Sequence, residues 1–466
     1  MARVYGLGVS GNSPISRQTG KDHKVDKVSG VFPDLDSLLA RFRELGARRI
    51  LCKPLAENDN SKQQIYLGGN FEVLRLLPYS EVRAEAGGAR QNFKAALKLS
   101  RIDAAGHVAE AAGSQLILYP DYPEVRLSGF LRGCPIAPSG ALRPVPKESR
   151  RFYNGPDGRF LFLAITDSNS ILAYLALRDS RVAREVEQQQ GRGSLAQSGV
   201  FLEVGIPGRG NARAELLSKL RQIHSAGWHE SRRLNNAGVP IPYAAQNGGG
   251  YTLEALFGIR PNGESAPDFL GWELKAYGSS RVTLMTPEPD TGYYGKQGVE
   301  AFVRKYGHSR GDDVMYFTGM HRANERCNAT NLTLTIRGFD AGKGKIVNVT
   351  GGIELLDDAG KVSAGWSFND LIKHWGRKHA STAYVPYEKQ ATPPPKYRYL
   401  SPVQLGQGTD FSKYLSAIVA GHVVFDPGAK ISEASSKKSR VKARSQFRIA
   451  IRKLDVLYYR LEFVDL

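Results

Sequence analysis

The chain has 466 residues, 41% hydrophobic and 23% charged, enough for two or three soluble domains, and it contains no apolar run of about 18 residues that would span a bilayer. Net charge is +19, an excess of cations that points to a polyanionic partner, nucleic acid foremost. The three cysteines, Cys52, Cys134 and Cys327, lie far apart without a C-x-x-C pair, which argues against a zinc ribbon or dithiol redox site and fits a reducing compartment.

Residues 1–30 are polar, Gly/Ser-rich and basic and read as an arm. They show no apolar export segment, so cytoplasm is the expected location. DSLLARFRELG (36–46) places Leu38, Leu39, Phe42 and Leu45 on one helical face, with Gly46 as the stop. Short strand-like runs follow at RRILCKPL, QQIYLGG, SQLILYP, EVRLSGFL, RFLFLAIT and SILAYLAL. Their Gly/Pro punctuation suggests a β-barrel or sandwich-like unit over 31–184. EVEQQQGRGSLAQSG (185–199) is Gln/Gly/Ser-rich without periodicity, and 185–211 is the expected linker.

ARAELLSKLRQIHSAG (212–227) reads as an amphipathic helix opening a second domain, 212–466. GGGYTLEALFGI (248–259) gives a glycine run and then a short helix that Thr252 could cap. From 267 to 340 strand and helix alternate, an α/β or α+β pattern. TPEPDTGYYGKQG (286–298) reads as a loop, FNDLIKHWGRKHA (368–380) as a helix, and the C-terminal stretch from 445 as alternating strands.

PDFLGWELKAYG (267–278) has the apolar texture of a buried strand, yet it carries Asp268, Glu273 and Lys275. Side chains alternate along a strand, so Glu273 and Lys275 share a face while Leu274 points into the core. Asp268 joins them if the chain bends near Gly271. Two carboxylates brought together repel unless a cation lies between them. A hard divalent ion, Mg²⁺ above all, meets that need; it can acidify a water and stabilise charge on a phosphate under attack. Lys275 is then placed to orient or deprotonate that water and to offset negative charge. A solvated strand with an ordinary ion pair is the alternative at this spacing.

The pattern Pro267-Asp268, four residues, Glu273-Leu274-Lys275 is that of the PD-(D/E)XK nucleases. With the G-G-x-x-L-E helix ahead of it (249–254), the region from about 216 to the C-terminus resembles the MvaI/BcnI restriction endonuclease family, MutH-like in fold. The resemblance implies an α/β (α+β) nuclease core with a mixed sheet. It also implies a monomeric endonuclease that hydrolyses double-stranded DNA at a short sequence with Mg²⁺, Mn²⁺ substituting. It makes Asp268 and Glu273 metal ligands, the Leu274 carbonyl a third ligand, Lys275 the catalytic lysine and Glu254 an additional acid of the site. Gly248, Gly249 and Gly250 would let the backbone approach DNA or turn into the helix. Arg377, Lys378 and His379 match a segment that carries recognition residues in this family; a helix C-terminal role for His379 is an equal reading. Tyr293 and Lys296, in the 286–298 loop, are further candidate DNA contacts. From Lys430 to Lys453 there are nine Lys/Arg and one acid, and Lys437, Lys438, Arg440, Lys442 and Arg444 are expected to track phosphates.

Lys53, Leu55, Asn58 and Asp59, followed by Gln64, Ile65 and Tyr66, are similar to the N-terminal effector domain of EcoRII-type enzymes, a B3-like pseudobarrel. That similarity implies a mainly β DNA-binding domain holding a second DNA copy or modified DNA and regulating the cut, with Lys53, Asn58, Lys62 and Gln64 as contacts. The alternative function is an anti-phage defence DNA sensor with a nuclease latent until modified DNA or a partner is met.

Overall fold

The computed structural model describes residues 32–466 except 62, 70, 89, 123, 151–155, 206–211, 261–266, 310 and 392, and omits the side chain of Arg377. The expected arm (1–30) and Lys62 therefore lie outside the described residues, as does the Arg377 side chain.

Asp34 opens the first helix, α1 (Leu35–Glu44), by accepting from the Ser37 N–H at 2.9 Å, with the Ser37 hydroxyl closing a capping box. Leu35, Leu38, Leu39 and Phe42 are buried on one face, each worth about 1.5–3 kcal/mol. A seven-stranded sheet follows, in the spatial order 196–198, 201–204, 47–56, 156–166, 171–176, 99–102, 108–110. Its alternation decides the layering. Ile50, Cys52, Phe160 and Phe162 face α1 and the second helix, α2 (Arg181–Gly191). Leu51, Leu161 and Leu163 face the other way, into a core shared with Ile65, Phe93, Leu116 and Leu127 of a five-stranded antiparallel sheet. This is the expected mainly β N-terminal unit.

The stretch read as a linker is different. Ser180 caps α2, whose Val182, Ala183 and Val186 are buried, and Ala196–Ser198 and Phe201–Val204 complete the seven-stranded sheet. The Gln run masks the periodicity because it supplies only the outer end of that helix. Of 185–211, residues 206–211 are not described.

The second half begins with α3 (Ala212–Ser225) and α4 (Gly248–Leu256). Leu216, Leu220, Leu253, Trp272 and Leu274 share a core with Ala383, Val385 and Leu405. The sheet beneath runs 228–230, 396–399, 381–390, 403–407, 460–464, with Glu273–Tyr277 pairing parallel to 381–390. It is therefore mixed, as expected. α5 (Gly292–Tyr306) begins inside the segment read as a loop and kinks at Gly298, where φ is 81°; the glycines that suggested a loop mark the helix start and its kink. α6 (Phe368–Lys378) lies where the spacing predicts, and α7 (Phe411–Val419) follows. The C-terminal strands 447–450 and 460–464 are separated by a 3₁₀ turn, Ile451–Leu457. No described helix is long and apolar enough to cross a membrane, and all three cysteines are free.

The two halves share one apolar core that includes Leu74, Tyr79, Ile372 and Trp375. Tyr79 donates its hydroxyl to the Ile372 carbonyl of α6 at 3.2 Å. The Gln91 amide accepts from Val349 N at 3.0 Å and donates to the Val347 carbonyl at 2.5 Å.

Candidate active site

The bend anticipated near Gly271 is a tight reversal. Phe269 and Trp272 exchange backbone hydrogen bonds of 2.8 and 2.9 Å, and the two residues between them, Leu270 and Gly271, have φ of 47° and 87°, as a two-residue hairpin loop demands. The reversal returns Asp268 to the start of the strand Glu273–Tyr277, where its Oδ2 accepts from the Leu274 N–H at 2.8 Å. Phe257, at the end of α4, meets Phe269 edge-on with ring centroids 5.0 Å apart. The turn is thus pinned to the helix that carries Glu254.

Why α4 sits so close is answered by its glycines. A Cβ on Gly248 would stand 2.5 Å from the Tyr397 hydroxyl, and one on Gly249 would stand 2.6 Å from the Tyr387 ring. These residues form the first turn of the helix, the second of the two expected roles, and let it lie directly on the strands 381–390 and 396–399. Thr252 does not cap; it is buried, and its hydroxyl accepts from Arg232 N at 3.1 Å and donates to the Arg232 carbonyl at 3.3 Å.

Glu273 is 2% exposed. Its Oε1 lies 2.7 Å from Lys275 Nζ and 4.0 Å from Lys378 Nζ, while Oε2 is buried without a hydrogen-bond partner. Burial, and then the charges of Asp268 and Glu273, push the Glu254 carboxyl up to about 7. Burial and Glu273 push Asp268 up to about 6, against the opposing Leu274 N–H. For Lys275 burial works against the charge, but Glu273, Asp268 and Glu254 outweigh it and hold its pKa above the ordinary amine value. The four expected residues thus form one electrostatic cluster with more negative charge than its surroundings satisfy.

Lys378 reaches this cluster because α6 ends just before the strand 381–390, whose Thr382 is the register partner of Glu273. His379 does not face outward. It is 0% exposed, its ring stacks on Trp375 with centroids 4.2 Å apart, and its Nε2 is 3.1 Å from the Leu284 carbonyl. Burial and the nearby Lys275 hold its pKa well below the usual value, so it is neutral. As a buried neutral ring it cannot read a base edge here; it belongs to a buried layer under the site. Sequence reasoning missed the rest of that layer, in which Tyr458 Oη contacts Tyr384 Oη at 2.8 Å and Thr382 Oγ1 at 3.0 Å. No local signal marks these residues, because strand pairing alone brings Thr382 and Tyr384 opposite Glu273 and Lys275.

The other expected contacts are dispersed. Tyr293 is half-buried on α5, edge-on to Tyr306, and Lys296 is exposed on the same helix. Lys437, Lys438, Arg440, Lys442 and Arg444 are all exposed on and beside the outer strand Arg440–Lys442, with Arg440 3.3 Å from Glu433. In the N-terminal unit Lys53 is 4% exposed and bound to Asp59 at 2.6 Å. Its ammonium braces the turn after the first strand, and the residue also lines the cavity of this unit. Asn58 and Gln64 line the same cavity, of about 1470 Å³, together with Tyr66, Arg126, Lys147 and Arg150. That cavity lies in the N-terminal unit and not at the carboxylate cluster; the cluster is the better reaction centre because there burial and mutual charge raise two carboxyls beside a third that is paired with a lysine.

The family model described as MvaI/BcnI restriction endonuclease matches residues 217–458. No curated protein matches the chain. Among solved structures, restriction endonuclease MvaI with its cognate DNA substrate is similar at 20% identity and a TM-score of 0.41, covering 55% of this chain and 99% of that one. MvaI without DNA covers 55% and 98% at 17% identity and a TM-score of 0.31. The B3 domain of UbaLAI restriction endonuclease with cognate DNA covers 36% and 93% at 16% identity and a TM-score of 0.23.

Proposed function

The chain belongs to the MvaI/BcnI restriction endonuclease family, and from that premise we propose that it cuts duplex DNA at a specific sequence, as a monomer, with Mg²⁺ held at Asp268 and Glu273. The observation that carries this reading is the convergence of Glu254, Asp268 and Glu273 with Lys275 at one end of a core strand.

The residues fit such an ion. Glu273 offers an unpartnered buried oxygen, and the carboxyls of Asp268 and Glu254 are raised first by burial and then by neighbouring carboxylates, both of which a cation would offset. Among the described residues no group of three or more His, Cys, Asp or Glu is spaced to cage a metal. Asp268 and Glu273, with the Leu274 carbonyl, would hold the ion with few protein ligands, the kind of site at which Mg²⁺ keeps several waters. When bound, the ion would neutralise the phosphodiester and acidify a water.

The chain's own groups do the rest. Lys275, kept charged by three acids, neutralises charge that builds on the phosphate and orients the attacking water through Nζ. Glu254, with its carboxyl near 7, is able to hold or release a proton at neutral pH. The buried hydroxyls of Tyr384, Tyr458 and Thr382 hold the floor beneath Glu273 rigid. The exposed cations from Lys437 to Arg444 steer and register the duplex backbone.

The N-terminal unit, 31–184 extended to residue 204 by the sheet, is proposed to bind a second DNA segment in its polar cavity through Asn58, Gln64 and neighbouring cations, and so to govern cutting. Incubating the protein with plasmid DNA and Mg²⁺ and sequencing the ends tests the reading. Fixed ends at one short sequence, abolished by chelation, are expected; intact DNA, or ends scattered without sequence preference, would overturn it.

A further inference from the structure

We infer that Lys378 is a second catalytic cation of the reaction centre, contacting the scissile phosphodiester, and not a reader of bases. The inference rests on the phosphodiesterase reading of the carboxylate cluster and adds a residue to it.

Lys378 is the last residue of α6. Its ammonium lies 4.0 Å from the same Glu273 oxygen that Lys275 holds at 2.7 Å. The two amines differ in access: the Lys275 side chain is 20% exposed and that of Lys378 is 31%. A phosphate presented to the carboxylates comes from the solvent side, so the more open side chain is the one it meets. Lys275, locked into its short ion pair, remains as the inner cation. Among the described residues Lys378 has no such short partner, and its distance to Glu273 leaves its donors available to a non-bridging phosphate oxygen. A flexible stem with a compact charge suits a single phosphate contact better than bidentate base recognition. Its position is firmly built. Trp375 one turn earlier is buried and stacked on both His379 and Tyr414, and His379 anchors to the Leu284 carbonyl. The helix end therefore cannot swing toward a groove without dismantling that stack.

The test compares wild type with Lys378→Ala and Lys378→Arg. DNA affinity is measured with Ca²⁺ in place of Mg²⁺, single-turnover cleavage with Mg²⁺, and sequence preference on substrates carrying single base-pair changes. A phosphate-contacting cation predicts that Lys378→Ala slows the single-turnover rate by roughly 10²–10³-fold, with affinity within about threefold and sequence preference unchanged, and that Lys378→Arg recovers at least about tenfold of the rate. An undiminished rate overturns the inference, as does a relaxed sequence preference or a loss confined to affinity. A wild-type protein that does not cleave under any of these conditions would instead refute the nuclease reading itself. Superimposable circular dichroism and melting curves for the two variants keep misfolding apart from these outcomes, and a rate loss in both variants without recovery by Arg counts against the inference.

Discussion

The carboxylate cluster is destabilising to the metal-free fold, and Glu254→Gln measures by how much. Glu254 has its carboxyl near 7 in the folded protein against 4.5 ordinarily. The folded state therefore binds more protons than the unfolded chain between those values, and stability falls as pH rises through that window. Above about pH 7 the penalty is complete; below about 4.5 it is absent. At about 1.4 kcal/mol per tenfold change the gap amounts to roughly 3 kcal/mol, and partial exposure of the side chain reduces this to about 1–3 kcal/mol. Glutamine keeps the shape and removes the charge facing Asp268 and Glu273. Urea unfolding in chelator should thus show Glu254→Gln more stable than wild type at pH 8, with the difference shrinking toward zero near pH 4.5. Adding Ca²⁺ at pH 8 should raise the wild-type midpoint more than that of the variant. A variant equal to or weaker than wild type at pH 8, or a difference that ignores pH, would refute the proposed electrostatic strain.

Two further outcomes test the supporting structure. A Cβ at Gly376 would stand 2.5 Å from the Tyr79 hydroxyl and 3.4 Å from Leu74, so Gly376→Ala should destabilise by about 1–3 kcal/mol despite the helix propensity it gains. Tyr79→Phe should offset part of that loss in the double variant, and strict additivity in thermal melts would argue against the contact between the halves. Replacing Lys437, Lys438 and Lys442 together by Ala should lower the slope of log affinity against log salt by roughly one per lost phosphate contact while leaving the cut position unchanged; a shifted cut site would contradict a purely phosphate-tracking role.

Legibility followed the range of the interactions. Asp268, Glu273 and Lys275 were readable because strand alternation and one glycine bend, both local, set their convergence, and the helix carrying Glu254 lies only 14 positions before Asp268. The same alternation separated the two faces of the N-terminal sheet at Ile50, Leu51 and Cys52. What could not be read depended on distant partners. The glycines 248 and 249 pack on Tyr397 and Tyr387, and His379 is buried by Trp375 and a carbonyl at Leu284; neither partner set announces itself from the local pattern. The ion pair of Lys53 with Asp59, six residues on, likewise needs the turn between them to be formed. Lys378 was noticed as a candidate DNA contact, but its closeness to Glu273 could not be read, because it arises only when α6 delivers the chain into the parallel strand pair.

The most direct measurement pairs binding with turnover in Asp268→Asn and Lys275→Ala. If these side chains meet around a cation at the bound phosphodiester, both variants should retain DNA affinity to within about tenfold while single-turnover cleavage in Mg²⁺ falls by at least roughly 10²-fold. Cleavage at the wild-type rate in either variant would contradict the site at its foundation.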